Sequence, residues 1–222
     1  LFPTGAFLLL LAAVVVLVAV IGYLLSASDL FSNEPTSDLE RDYQMLLDGL
    51  AENPDNPALL MTLAEVEFDL GKTDEALDRA AQAVSLSEDL AGMHIRYAGL
   101  LLRAGELDAA REEAEAELAI ETSTPNAEPH FVLAQIAWEQ GDYDSAAESM
   151  EEGLALDPVA ADMRIVYGRI LEDAGRTDEA IAQYQEAFRF LPENQELVDA
   201  LQRLGVSVEA SETPIAPHGD TP

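Results

Sequence analysis

The sequence predicts an all-α protein, with an N-terminal transmembrane helix followed by an α-solenoid of about four helix-turn-helix repeats and capping helices. Two observations predict this architecture. The chain begins with a long apolar segment that carries no charge, and the remainder repeats a pattern of glycine, aspartate and alanine about every 34 residues. Hydrophobic residues make up 49% of the 222 residues, which is enough for a buried core.

The net charge and the absence of cysteine exclude several classes of function. The chain has 43 acidic and 11 basic side chains, for a formal charge of −32. Proteins that bind nucleic acid without sequence preference need Lys and Arg to displace counterions from phosphates, so we expect no nucleic-acid partner. Without cysteine the chain can form no disulfide, thiolate nucleophile, cysteine-ligated zinc site or c-type haem attachment.

The first predicted element is a transmembrane anchor over residues 1–28. No charged residue precedes Asp29, and residues 6–25 are almost entirely apolar. A helix of about 20 residues spans the roughly 30 Å of a bilayer's hydrocarbon core, and a helix is the only form in which a single span satisfies its own backbone. We therefore expect residues 6–25 to contact the lipid bilayer.

A cleavable signal peptide is the alternative for this segment. Signal peptides have an apolar stretch of about 7–15 residues and a basic start. Here the stretch is longer and no basic residue precedes it, although the small residues 26–28 are compatible with a cleavage site. A retained anchor is the preferred interpretation.

The flank of the anchor predicts its orientation. Four acidic residues lie between the apolar segment and the first basic residue, Arg41. Cytoplasmic flanks are usually rich in Lys and Arg. We therefore expect residues 29–222 to lie outside the cytoplasm.

The rest of the chain contains four copies of one turn pattern, Gly-x-x-Asp-x-Ala. Glycine tolerates the left-handed conformation that ends a helix, and aspartate accepts amide hydrogen bonds at the start of the next helix and favours its dipole. Each copy therefore predicts a helix, a tight turn and an antiparallel second helix. The four copies begin at Gly71, Gly105, Gly141 and Gly175.

This spacing and punctuation resemble the tetratricopeptide repeat (TPR) family, over residues 57–194. Two further features agree with the resemblance. The first helix of each repeat has a large-small pair, at Leu63-Ala64, Tyr97-Ala98, Leu133-Ala134 and Tyr167-Gly168. The second helix has a position that is usually small, filled here by Ala83, Glu117, Gly153 and Ala187, of which Glu117 is the departure. The resemblance implies binding of a protein or peptide.

The segments on either side of the repeats complete the domain plan. Residues 29–36 are assigned to a linker and residues 37–56 to an N-terminal capping helix and link. Residues 195–206 are assigned to a C-terminal capping helix and residues 207–222 to a flexible tail rich in Pro, Ser and Thr. Solenoids need such caps because their end repeats would otherwise expose apolar faces.

The resemblance also implies where a partner binds. In TPR proteins the first helices line an inner groove, and aromatic side chains at a protein surface often dominate binding. The alternative is that neighbouring helices cover some of these side chains. The residues assigned to the protein-binding groove are Met61, Phe68, Ile95, Leu102, Arg103, Phe131, Trp138, Ile165 and Arg169.

Catalysis has little support in the sequence. His94 and His130 occupy equivalent positions of neighbouring repeats and are interpreted as packed between helices, with a shared metal site as the alternative. His218 falls in the tail, and no glycine-rich phosphate loop is present. We expect no enzyme activity and no catalytic, cofactor-binding or metal-binding residue.

Acidic residues on the second helices allow two interpretations. They form either a solvated face that keeps the protein soluble or a docking surface for a basic partner. The residues concerned are Glu112, Glu113, Glu115, Glu117, Glu148, Glu151 and Glu152.

Among membrane-anchored bacterial TPR proteins, the chain is similar to the TPR part of cytochrome c maturation factors through residues 46–55, Leu-Leu-Asp-Gly-Leu-Ala-Glu-Asn-Pro-Asp. This similarity implies a single-pass protein of the bacterial cytoplasmic membrane with a periplasmic domain. Its function would be assembly or maturation of a c-type cytochrome or another membrane complex. The alternative is a stoichiometric accessory subunit of a large respiratory or photosynthetic membrane complex.

Overall fold

The computed structural model describes residues 37–87, 90–120 and 126–207. The chain divides into two compact units, with the boundary between Met45 and Leu46. Of the first unit, the structure describes the start of one helix. The described residues form ten helices and no strand, which confirms the all-α class.

The helices follow one another along the chain with short connections. The helices are α1 (Asp38–Glu52), α2 (Pro57–Asp69), α3 (Thr73–Ser85), α4 (Met93–Ala104), α5 (Leu107–Ala119), α6 (Glu128–Glu139), α7 (Tyr143–Leu156), α8 (Ala161–Asp173), α9 (Thr177–Phe190) and α10 (Gln195–Arg203).

Helices of the second unit pack as four successive pairs, α2 with α3, α4 with α5, α6 with α7 and α8 with α9. The second helix of each pair also contacts the first helix of the next pair, and α10 packs on α9. These pairs are the helix-turn-helix repeats that the recurring turn pattern predicts, and we number them repeats 1 to 4.

The turn glycine of each repeat ends the first helix in the left-handed conformation. Gly71, Gly105, Gly141 and Gly175 have φ values of 78°, 82°, 74° and 74°, which a residue with a Cβ atom rarely adopts. The aspartate of the pattern does not occupy the cap position. It lies inside the first turn of the second helix, where its charge still favours the helix dipole.

The two flanking helices are present in the described residues. The helix expected over residues 37–51 spans Asp38–Glu52, and within the second unit its Gly49 lies against Leu59 of α2. On the other side of the repeats, Leu197 and Leu201 of α10 are buried in the same cluster as the residues of repeat 4. Burial of these leucines explains why α10 remains attached to the last repeat.

Within the described residues, no helix has the length and apolar character needed to cross a bilayer. The predicted anchor at residues 6–25 and the predicted linker at residues 29–36 lie outside the described residues, as does the tail beyond Ser207. Their assignments stay predictions from the sequence.

Candidate functional site

Three of the nine residues assigned to the groove are core residues in the structure. Met61, Ile95 and Ile165 are only 0%, 6% and 8% exposed. Ile95 and Ile165 belong to clusters that also include residues of neighbouring helices. At these three positions the alternative is therefore correct, because adjacent helices cover the side chains. They contribute to stability rather than to contact with a partner.

The other six residues retain access to solvent on the first helices of the repeats. Phe131 and Trp138 are half-buried against the cluster of repeats 3 and 4, and Leu102 is half-buried against the cluster of repeats 2 and 3. Arg103 and Arg169 are exposed. We call these six residues the first-helix surface: Phe68, Leu102, Arg103, Phe131, Trp138 and Arg169.

Polar contacts from this surface join repeat 1 to repeat 2. The guanidinium carbon of Arg103 lies 4.3 Å from the centroid of the Phe68 ring, and Arg103 Nη2 donates to Asp69 Oδ1 at 2.6 Å. Arg96 donates to both carboxylate oxygens of Glu65, at 2.8 and 2.7 Å. Because these bonds connect α2 with α4, they hold the two first helices in one arrangement.

Similar contacts join the later repeats. Trp138 Nε1 donates to Asp173 Oδ2 at 2.8 Å, which connects α6 with α8. Arg169 of α8 forms an ion pair with Glu196 of α10. The first-helix surface is therefore largely prearranged. Its apolar side chains lie beside polar groups whose hydrogen bonds are already formed within the protein. Such a surface suits the binding of a polypeptide segment.

A cavity of about 390 Å³ lies where the first turns of α4, α6 and α8 approach one another. Sequence analysis identified two of its residues, Ile95 and Phe131, but not the acidic residues or the loop that completes its wall. Its lining comprises Ile95, Arg96, Ala127, Glu128, Phe131, Val132, Asp157, Ala160, Asp162 and Met163. No periodic signal marks the loop residues, because Ala127 belongs to the connection between repeats 2 and 3, and Asp157 and Ala160 belong to that between repeats 3 and 4.

Glu117, the departure from the small position of the repeat pattern, has a structural role. Its side chain is 5% exposed. Its carboxylate accepts hydrogen bonds from Gly92 N at 2.6 Å and Ile95 N at 3.2 Å. These amides belong to the first turn of α4, whose cap residue Gly92 has no side chain to accept them. Glu117 thus caps a helix of its own repeat from a distance of 25 residues along the chain.

The two equivalent histidines pack between the helices of their repeats. His94 Nδ1 lies 2.7 Å from Glu113 Oε2, and His130 Nδ1 lies 3.1 Å from Glu152 Oε2. No group of three metal-ligating side chains occurs in the part of the chain that the structure describes. His218 lies outside that part. The positions of His94 and His130 beside these carboxylates agree with the packed interpretation.

Some acidic residues of the second helices contact other side chains, and others are exposed. Glu113 and Glu152 face the two histidines, and Glu151 Oε1 accepts a hydrogen bond from the Tyr167 hydroxyl at 2.8 Å. Burial, and then this hydrogen bond, raise the pKa of Tyr167. Glu112, Glu115 and Glu148 are exposed. The exposure of these three side chains agrees with a solvated face.

Comparisons with solved structures agree with the repeat architecture. The chain is similar to a thermophilic TPR protein of Thermus thermophilus, with a TM-score of 0.62 and 24% identity over 74% of this chain and 89% of the other. It is also similar to PilW, described as a type IV pilus biogenesis factor, with a TM-score of 0.65 and 21% identity over 73% of this chain and 80% of the other. A third neighbour is YrrB, described as a TPR protein with an unusual peptide-binding site. Its TM-score is 0.54, with 16% identity over 72% of this chain and 80% of the other.

A curated relative is cellulose synthase operon protein C of Xanthomonas axonopodis pv. citri (strain 306), which is 28% identical over 146 residues, or 62% of this chain. The chain spans about a tenth of the length of that protein, since the match covers 10% of it. The sequence profile of the tetratricopeptide repeat matches residues 61–128 and 131–194, which together exceed half of the chain. The chain therefore belongs to the tetratricopeptide repeat family.

Proposed function

We propose that this protein is a membrane-anchored, extracytoplasmic scaffold whose first-helix surface binds a segment of another protein. One observation carries the binding part of the proposal. Phe68, Leu102, Phe131 and Trp138 remain partly exposed on three successive first helices, although burial of such side chains is favourable. The polar contacts between repeats hold these side chains in place, so a partner would meet a surface that needs little ordering.

The membrane part of the proposal is supported by the sequence. Residues 6–25 are almost entirely apolar and carry no charge, and the first four charged residues that follow them are acidic. An anchor of this kind confines the scaffold to a membrane surface, where its partners would be membrane proteins or exported chains. A role in the assembly or maturation of a c-type cytochrome or another membrane complex is the finer form of this proposal.

A site-specific crosslink tests the binding surface. A photo-reactive benzoylphenylalanine at position 102 should give a discrete adduct with a partner in cells that express the full chain. The matched control carries the same group at position 148, an exposed site on the second helix α7, and should give none. Adducts of equal yield from both positions, or from position 148 alone, would contradict binding through the first-helix surface.

Protease accessibility tests the orientation. Protease added to intact spheroplasts should digest residues 29–222, as it digests a known periplasmic protein. Protection equal to that of a cytosolic control would contradict an extracytoplasmic location.

Purification in detergent distinguishes the scaffold from the alternative of an accessory subunit. A maturation or assembly factor should co-purify with its partner in a substoichiometric amount that decreases on washing. A fixed ratio that survives washing and size-exclusion chromatography would favour a permanent subunit.

A further inference from the structure

The cavity beside α4, α6 and α8 has a wall that internal bonds hold in place. Arg164 Nη2 donates to the Pro158 carbonyl oxygen at 2.8 Å, and Val159 N donates to Asp157 Oδ1 at 3.2 Å. These bonds fix the loop between α7 and α8, which supplies Asp157 and Ala160 to the cavity. A volume of about 390 Å³ is at the small end of the range for ligand pockets, and it suits one or two side chains.

The floor of this cavity is apolar. Ile95, Val132 and Met163 are mostly buried beneath it, and Phe131 of the first-helix surface lies at its side. An aliphatic or aromatic side chain placed here would leave water and contact these groups, which favours binding. The floor therefore selects a large apolar side chain.

The rim of the cavity is acidic. Glu128, Asp157 and Asp162 line it and are exposed. Arg96 also lines it, but both carboxylate oxygens of Glu65 already accept hydrogen bonds from its guanidinium. Glu128 and Asp162 lie in the first turns of α6 and α8, so these carboxylates oppose the attraction that helix N-termini exert on an anion. The rim favours a cationic ligand and disfavours an acidic one.

We propose that this cavity binds a large apolar side chain from a basic segment of the partner polypeptide, with the flanking Lys or Arg residues of that segment paired to Glu128, Asp157 and Asp162. This inference rests on the proposed function, because it specifies the partner of the same surface. Charge complementarity with a protein of net charge −32 strengthens the choice, since the wider acidic field attracts the same ligand.

Two intrinsic reporters allow a direct test with the full chain in lipid nanodiscs. The chain has five methionines and one tryptophan. Met163 lines the cavity and its methyl group lies beside Gly153 of α7, so we use its methyl resonance to report on binding in the cavity. The methyl group of buried Met61 serves as an internal control, and Trp138 fluorescence reports on the first-helix surface. The probe is the peptide acetyl-Lys-Leu-Arg-Phe-Lys-amide. Its controls replace every base with Glu or both apolar residues with Ala.

With ¹³C-methyl methionine labelling, the basic apolar peptide should shift the Met163 resonance in a saturable way and leave Met61 unchanged. The acidic peptide and the alanine peptide should produce no comparable shift. Raising the salt from about 0.01 to about 0.5 M should weaken binding of the basic peptide, because exposed ion pairs are screened at high ionic strength.

Charge-neutral variants test the rim. Glu128→Gln, Asp157→Asn and Asp162→Asn together should weaken binding about tenfold. This factor is the combined contribution expected from three exposed ion pairs. The matched control, Glu112→Gln with Glu115→Gln and Glu148→Gln, removes the same charge from the second helices and should change the affinity less than twofold. Ala160→Leu, which fills the cavity, should abolish the Met163 shift, with a helical thermal melt to establish that the variant folds.

Any one of four results would overturn the inference. The first is an equal response to the acidic peptide, and the second is an unchanged affinity in the triple rim variant. The third is a response of Trp138 without one of Met163, which would place the peptide on the first-helix surface outside the cavity and leave the proposed function intact. If neither reporter responds, the inference fails. The proposed function would then be judged independently by the crosslink at position 102.

Discussion

Repeats 2 and 4 share the same helix-turn-helix pattern, but different contacts hold their helices together. In repeat 2, the buried carboxylate of Glu117 on α5 caps the start of α4 through the amides of Gly92 and Ile95. In repeat 4, the ring of Tyr184 on α9 packs directly over Gly168 of α8. The comparison shows that one backbone arrangement accepts either a buried carboxylate that caps a helix or an aromatic ring packed on a glycine between its two helices.

At equivalent positions, the two repeats divide side-chain volume differently between their paired helices. Ala98 and Ala114 are buried in repeat 2, where Gly168 and Tyr184 occupy the corresponding positions of repeat 4. A Cβ atom on Gly168 would lie 2.3 Å from Cε1 of Tyr184, so the larger ring requires the smaller partner. Cores tolerate such exchanges when the total volume is kept.

The largest expected effect is loss of the remote cap in repeat 2. Glu117→Ala should lower the free energy of unfolding by about 3 kcal/mol, because two amides at the start of α4 lose their acceptor in a largely buried site. Urea unfolding would measure this change. Glu115→Ala, at an exposed position of the same helix, should change stability by less than about 0.5 kcal/mol. Equal effects of the two substitutions would show that the Glu117 carboxylate is not a cap.

The second expected effect concerns the packing of Tyr184 on Gly168 in repeat 4. Gly168→Ala should lower the free energy of unfolding by about 2 kcal/mol, since the added methyl group overpacks the Tyr184 ring. Adding Tyr184→Met should recover part of the loss, because alanine and methionine already occupy these positions in repeat 3, as Ala134 and Met150.

Gly99→Ala is the control for this substitution. Nothing lies within 4 Å of the position a Cβ atom would take at Gly99. Alanine there should raise stability by about 0.5–1 kcal/mol through its helix propensity. A stabilising Gly168→Ala substitution would contradict the packing argument.

A smaller effect is expected from a local cap beside repeat 4. Asn194 Oδ1 accepts a hydrogen bond from Leu197 N at 3.1 Å at the start of α10. Asn194→Ala should cost about 1 kcal/mol of stability, less than Glu117→Ala, because this cap is only half-buried and water can replace part of it. Thermal unfolding of both variants, with exposed Glu193→Ala as the control, would test this order. A reversed order would refute the distinction between remote and local capping.

The smallest effect is a dependence on alkaline pH that should be concentrated in repeat 4. Burial, and then hydrogen bonds to Glu151 and Glu172, raise the pKa of Tyr167 and Tyr184 above the ordinary value of 10.0. A raised pKa in the folded state gives a contribution to stability that is complete below pH 10 and decreases as the pH rises beyond it, because the unfolded chain loses these protons first.

The double variant Tyr167→Phe with Tyr184→Phe should therefore lose less stability between pH 9 and about pH 11 than the unaltered protein. Thermal melts at several pH values would measure the difference. Parallel pH profiles would contradict a role for these two hydroxyl groups. The order of the four effects then distinguishes the buried carboxylate cap of repeat 2 from the Tyr184 packing of repeat 4.

Sequence analysis predicted the repeats well because their signals are local. Gly71, Gly105, Gly141 and Gly175 mark turns through their own conformational freedom, and the period of about 34 residues gives the length of each helix pair. Ala98 and Ala134 mark close approach of paired helices because a small side chain permits it. These properties depend on each residue and its neighbours along the chain.

The candidate site was predicted only in part. Trp138 and Phe131 were identified by their position on a first helix, and they do remain partly exposed. Met61 and Ile165 occupy the same kind of position but are buried. Periodicity gives the side of a helix on which a residue lies, whereas its exposure depends on how closely the next helix approaches.

By itself, the sequence determined the class, the number of repeats and the turns, since these follow from backbone preferences and a fixed period. Only the tertiary structure decided that Glu117 is a helix cap and that acidic residues surround an apolar cavity near Met163. The physical reason is distance along the chain. Glu117 lies 25 residues from the Gly92 amide that it caps, and the cavity combines residues from Ile95 to Met163, so neither feature exists until the helices have packed.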